Sequence, residues 1–148
     1  RLHTPPLMKR KASAVWRGDL KSGRGTISTE STVLKDTPYS FGTRFESGVG
    51  TNPEELIGAA HAGCFSMGLS AELQKAGFIA ESIATSATVT LEQHPQTGWT
   101  VTQVHLDTRA TVPGITTEKF AAIAEGAKAG CPISRLLKAA ISLDAKLL

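Results

Sequence analysis

Aromatic residues are scarce in this sequence, 5% of 148 residues, so a core built from it must be mainly aliphatic and small. Cysteine is scarcer still: Cys64 and Cys131 are the only two. Two distant cysteines do not make a secreted disulfide framework, and a reducing cytoplasm is the expected setting. The spacing of a Cys-x-x-Cys motif is absent, which argues against a general disulfide oxidoreductase. No run is long and apolar enough to cross a membrane. The opening "RLHTPPLMKRK" lacks the apolar centre of a secretory signal. An excess of charge is lacking too: 16 Lys and Arg against 13 Asp and Glu leave a formal +3. The one basic run, "KRK" at 9–11, reads as a solvated tail, so no nucleic-acid partner is expected. "GRGTIST" fits neither the dinucleotide nor the P-loop glycine pattern.

The length suits one domain, expected over 12–148 behind a tail at 1–11. Met8 is a natural start, which makes residues 1–7 an upstream or expression-derived extension. "ASAVWR" at 12–17 reads as a strand, "GDLKSGRG" as a turn with three glycines, and "TISTESTVL" at 26–34 as a second strand. "YSFGTRFE" alternates Tyr39, Phe41, Thr43 and Phe45, which predicts a third strand with Arg44 on its other face. Pro53, Glu54 and Glu55 suit a helix N-terminus, and the spacing predicts a helix from Pro53 to Ala76 stopped by Gly77. Its interior from Leu56 to Leu73 is small or apolar, which predicts burial on most sides. Strands follow at 82–92 and 99–112, joined by a hairpin at "HPQTG"; the apolar phase of the second slips near Gln103, the mark of a bulge. "PGITTEKFAAIAEGAKAG" becomes a second helix capped by Gly130, "CPISRLLKA" a short third, and "AISLDAKLL" a last strand. Strands and helices that do not alternate singly indicate α+β.

The block "EELIGAAHAGCFSMGLS" places Cys64 about three turns inside the long helix. That is too deep for the helix dipole to lower its pKa, and apolar burial alone raises it. A reactive Cys64 needs a cation from elsewhere, and Arg44 is the candidate. Glu54 could hold such an arginine, but it lies about 15 Å from Cys64 along the axis. A long arginine, or a second subunit, must bridge the two. Cys131, between Gly130 and Pro132, stands at a helix start that favours thiolate. The bland alternative is two unrelated buried thiols. His61, one turn before Cys64, could act as its base or as half of a metal site. With only His94 and His105 as further ligands, a packed histidine is the better reading and no metal is expected.

The blocks "RGDLKSGRGTISTES", "FGTRFE", "GTNPEELIGAAHAGCFSM", "VPGI" and "AGCPISRLLKA" resemble the osmotically inducible protein C (OsmC) family, nearer to that subgroup than to its organic hydroperoxide resistance (Ohr) relatives. The resemblance runs from about Val15 to the C-terminus. It implies an intertwined α+β homodimer, strands wrapped around long central helices, with sites at the subunit interface. It implies a cysteine-based peroxidase that reduces organic hydroperoxides to alcohols in oxidative and osmotic stress, with no cofactor. Carried over, Cys64 is the peroxidatic and Cys131 the resolving cysteine, recycled by a dithiol donor such as a lipoyl protein. Arg44 in "GTRFE" matches the catalytic arginine and Glu54 in "NPEEL" its supporting carboxylate; Arg24, in an earlier loop, is the second choice for the arginine. Phe41, Leu56, Phe65 and Met67 are expected to line an apolar substrate wall. The competing class is a non-catalytic, stress-induced carrier of lipid-like molecules.

Overall fold

The computed structural model describes residues 6–148. Residues 1–5, and with them most of the expected extension, lie outside the described residues. The chain divides into two compact units, one ending at Pro53 and one running from Glu54 to Leu148.

The first unit is an antiparallel meander of β1 (Ala12–Arg17), β2 (Arg24–Thr29) and β3 (Thr37–Tyr39), followed by the short helix α1 (Phe41–Phe45). Turn chemistry shapes it. Asp19 accepts from the amide and hydroxyl of Ser22, each at 2.7 Å, and Gly18 takes φ +91°. Gly25 sits in register between Trp16 and Tyr39, whose rings pack 5.5 Å apart. A Cβ there would run into both rings, so only glycine fits.

Two expectations fail in this unit. The second strand ends at Thr29 rather than at residue 34, because the chain turns back there: Thr32 and Asp36 have positive φ, and the Leu34 carbonyl accepts from the Thr29 amide. The segment read as a strand at 39–46 is mostly α1. Ser40 and Thr43 form a reciprocal capping box, which satisfies two backbone donors and starts a helix. Phe41 and Phe45, i and i+4, then pack with ring centroids 5.0 Å apart. The same residues are compatible with a strand face and a helix face; the cap decides.

The second unit holds α2 (Pro53–Lys75), β4 (Ser82–His94), β5 (Gly98–Thr111), α3 (Thr117–Gly130), α4 (Pro132–Leu136) and β6 (Ala140–Leu147). The sheet order is β4-β5-β6; β4 and β5 are antiparallel, while β5 and β6 are parallel. A parallel pair needs a crossover, and α3 with α4 supplies it. α2 stops as expected: Gly77 has φ +92°, and the Phe78 amide reaches back to the Leu73 carbonyl. The bulge falls where the apolar phase slips, since Thr90 pairs with Gln103 but Leu91 with Val101. The order of strands and helices makes the fold α+β, with one helix more than the sequence suggested.

The core is a stripe of α2 laid against β5 and α3. Phe65, Leu69 and Leu73 meet Val104, Leu106, Ala110, Phe120 and Ala124, all fully buried or nearly so. The expectation that α2 is buried on most sides is not met in the single chain. Gly58, His61, Phe65, Leu69 and Leu73 are buried, whereas Ala59, Ala60 and Gly63 are exposed and Met67 is 78% exposed. No helix among the described residues is long and apolar enough to cross a membrane.

Candidate active site

The fold brings the two cysteines together across 67 residues of sequence, their Sγ atoms 3.0 Å apart as free thiols. Cys64 projects from α2, partly buried, between the core residue Phe65 and the turn that carries His61. Cys131 is the joint between two helices. Its amide closes α3 by donating to Ala127 at 2.9 Å, and its carbonyl opens α4 by accepting from the Arg135 amide at 3.0 Å. Gly130 is thus the last residue of α3, and Cys131, not Gly130, is the cap. Pro132 follows at the first helical position, where its missing N–H costs nothing.

The two thiols differ in which form their surroundings favour. Burial pushes Cys64 up, and the hydrogen bond and charge of Cys131 push it further; the Ile133 amide opposes weakly. Burial also raises Cys131, but hydrogen bonding with Cys64, then with Ser134 and the Ile133 amide, outweighs it and brings it down. Of the two, Cys131 is the thiol whose deprotonated form the surroundings favour. A nucleophilic Cys64 therefore requires a cation to reverse that order.

His61 does not serve Cys64. It is fully buried, and its Nε2 lies 2.7 Å from Ser134 Oγ. Burial depresses its pKa, so it is neutral at pH 7. Ser134 was not legible as a site residue, because its link to His61 spans 73 positions. The one local signal is its place three residues after Cys131, on the same face of the first turn of α4. His94 and His105 lie elsewhere: His94 Nδ1 accepts from the Gln96 amide at 3.2 Å, and His105 Nδ1 contacts Ser142 Oγ at 2.6 Å. Among the described residues no three His, Cys, Asp or Glu side chains gather as metal ligands.

The remaining expected residues distribute as follows. Arg44 is an exposed residue of the last turn of α1, its guanidinium 5.3 Å over the Phe45 ring. Phe41 and Arg44, with Trp16, Leu20, Tyr39 and Phe45, line a cavity of about 290 Å³ in the first unit. Arg24 starts β2 and pairs with Arg17. Glu54 lies in the first turn of α2, and Leu56 is half-buried on the same helix. Phe65 is a core residue with no exposure, so it lines no opening. Met67 borders an open groove with Gly63, Ser66 and Ser70.

The family model for OsmC-like proteins matches residues 46–146. The chain is 54% identical over 138 residues to Peroxiredoxin OsmC of Escherichia coli (strain K12), covering 93% of this chain and 96% of that protein. Peroxiredoxin OsmC of Shigella flexneri matches to the same extent. Among solved structures, an OsmC-like protein of unknown function from Vibrio cholerae superposes with a TM-score of 0.76 at 16% identity, over 95% of this chain and 100% of that one. The organic hydroperoxide resistance protein OhrB of Bacillus subtilis superposes with a TM-score of 0.69 at 21% identity, over 92% and 98%. The chain belongs to the OsmC family, and these structures share its fold.

Proposed function

We propose that this OsmC-family chain is a cysteine-based, thiol-dependent peroxidase that reduces organic hydroperoxides to alcohols in defence against oxidative and osmotic stress. The relatives named peroxiredoxin support the peroxidase class. The observation that carries the reading is the meeting of Cys64 and Cys131 at 3.0 Å. In the first step the Cys64 thiolate attacks a peroxide oxygen, the O–O bond breaks, and the alkoxide leaves and takes a proton. Cys64 is now a sulfenic acid. Cys131 then attacks its sulfur, water departs, and a disulfide remains. A dithiol donor, in our reading a lipoyl protein, reduces the disulfide by exchange. No metal or flavin enters, because sulfur carries both electrons.

Arg44 is the cation this scheme requires. It holds the Cys64 thiolate and then the developing alkoxide, and Glu54 orients it by a charge-assisted bond. Arg24 is the second candidate. In our reading Phe41, Leu56 and Met67 offer the apolar surface that the substrate meets, whereas Phe65 is fully buried. Each substrate methylene buried there contributes about 0.8 kcal/mol, which hydrogen peroxide forgoes. The exposed apolar face of α2, with Met67 78% exposed, favours an intertwined homodimer whose subunits complete each other's sites. Such a dimer buries more than roughly 2,000 Å². The setting we propose is the cytoplasm.

Stopped-flow consumption of cumene hydroperoxide and of hydrogen peroxide, with a lipoyl dithiol as donor, tests the reading. Cys64→Ser should abolish turnover with the fold intact, and Cys131→Ser should stall after one oxidation. Near wild-type rates in Cys64→Ser would falsify the assignment. Equal kcat/KM for the two peroxides would remove the apolar wall from it. An unchanged free-thiol content in the presence of either peroxide would favour the carrier reading.

A further inference from the structure

The contact between the two sulfurs is one end of a longer chain of polar groups. Ser134 follows Cys131 by three residues, on the same face of the first turn of α4, where its hydroxyl helps to lower the pKa of the Cys131 thiol. The same hydroxyl oxygen lies 2.7 Å from His61 Nε2 on α2. All three residues are buried: His61 completely, Cys131 at 3% exposure and Ser134 at 9%. The other ring nitrogen of His61, Nδ1, is buried with no partner among the described residues. A buried N–H without an acceptor is costly. The bare nitrogen of the neutral ring is therefore Nδ1, and the hydrogen sits on Nε2. Nε2–H then donates to Ser134 Oγ, which leaves the serine hydrogen free to donate to Cys131 Sγ. Both bonds point toward the sulfur, and each strengthens the other in a dry surrounding.

We propose that His61 and Ser134 form a buried relay for the resolving step: Ser134 is a catalytic residue that donates to the Cys131 thiolate, and His61 is a positioning residue acting through Ser134. The inference rests on the reading of Cys64 as peroxidatic and Cys131 as resolving. In that step a bond forms between Cys131 Sγ and Cys64 Sγ while the Cys64 S–O bond breaks. Cys131 gives up two electrons to the new bond, hydroxide leaves Cys64, and the proton lost by Cys131 converts it to water. The products are one disulfide and one water. The attacking sulfur must be a thiolate, and an unperturbed thiol is mostly protonated at neutral pH. The relay keeps the attacking form populated at the place where burial alone would suppress it.

Fixing the direction of the relay also explains an otherwise idle residue. A histidine one turn from a nucleophilic cysteine suggests a base for that cysteine, yet its bond goes to Ser134 on another helix. The ring therefore serves the second thiol, not the first.

The test is rapid quench of the reduced full-length protein after one equivalent of cumene hydroperoxide. Alkylation and mass spectrometry then give the first-order rate of disulfide formation, and dimedone traps the sulfenic acid on Cys64. Ser134→Ala should slow disulfide formation at least about tenfold, the loss of one hydrogen bond to a charged group, with a matching rise in trapped sulfenic acid. Ser134→Thr, which keeps the hydroxyl, should restore it. His61→Gln keeps an N–H donor and should resolve faster than His61→Leu, which should match Ser134→Ala. A packing defect would not separate the two histidine variants by donor content. Should His61→Leu fail to fold, the serine pair decides. A wild-type resolving rate in Ser134→Ala, or equal rates in His61→Gln and His61→Leu, would overturn the relay. A wild-type protein that forms neither sulfenic acid nor disulfide would instead overturn the peroxidase reading, and the relay with it.

Discussion

The unit that carries the thiols and the unit that carries Arg44 are held together by different means. In the first, an apolar core runs through α2, β5 and α3, and every buried apolar side chain of the described residues belongs to it. In the second, all six residues of β1 are exposed, Val15 to 50%, and order comes from the Asp19 turn, the Ser40–Thr43 box and rings packed about Gly25. Close packing fixes atoms to within fractions of an ångström, whereas a three-stranded sheet with little buried behind it is stable only when covered. The contrast places the two cysteines on rigid scaffold and leaves Arg44 on an exposed surface.

The sharpest way to break the contrast is to remove apolar volume from each side. Phe65→Ala should cost about 3–5 kcal/mol, because it empties a fully buried ring site against Leu106 and Phe120. Val15→Ala should cost no more than about 0.5 kcal/mol if β1 faces water in solution. Chemical denaturation at several protein concentrations checks both. A cost for Val15→Ala near that of a core site, together with a midpoint that rises with concentration and a scattering mass of two chains, would mean that β1 is covered in a dimer. Concentration-independent midpoints and a single-chain mass would end the dimer reading.

A smaller effect is expected at the arginines. Loss of one charge-assisted donor is worth roughly 1.5–3 kcal/mol, so Arg44→Ala should lower the second-order rate with cumene hydroperoxide at least about tenfold. Burial and the neighbouring Cys131 hold the Cys64 thiol above its ordinary value, so this variant should also leave Cys64 with that raised pKa. Thiolate absorbance against pH in a Cys131→Ser background reads that directly. An effect confined to Arg24→Ala would move the role to the start of β2.

Much of this was legible in the sequence where local rules and tertiary context agree. The glycine stop at Gly77 and the slip in phase near Gln103 emerged as expected, whereas α2, expected to be buried on most sides, buries one face only. The two cysteines were legible as residues that matter, but their contact was not, because no local pattern reports a distance across 67 positions. Local alternation misled at Phe41–Phe45, where Ser40 and Thr43 satisfy each other's backbone and impose a helix. Phe65 was legible as apolar but not as core, since periodicity alone does not say which side of a small-residue helix faces the sheet. Ser134 carried no signal beyond its offset from Cys131, and its importance comes from a partner on another helix.

The smallest expected effect reports on the buried imidazole itself. Burial lowers the pKa of His61 from its ordinary 6.5, with no compensating charge among the causes. The unfolded chain therefore binds a proton at a higher pH than the folded one. Stability is complete above about pH 6.5 and is lost as the pH falls through the window between the ordinary value and the depressed one. Within that window a single proton costs at most about 1.4 kcal/mol per pH unit, and below it the loss levels off. His105 touches Ser142 in the sheet and His94 lies in an exposed hairpin, so a titration assigned to His61 must survive their replacement by glutamine. Urea midpoints between pH 7.5 and 5 should fall in the wild type and in the His94→Gln/His105→Gln variant, and should be flatter in His61→Gln. An acid slope that persists undiminished in His61→Gln would mean that the ring is not the group being charged, and that its neutral, Nε2-protonated form is not what holds Ser134 in place.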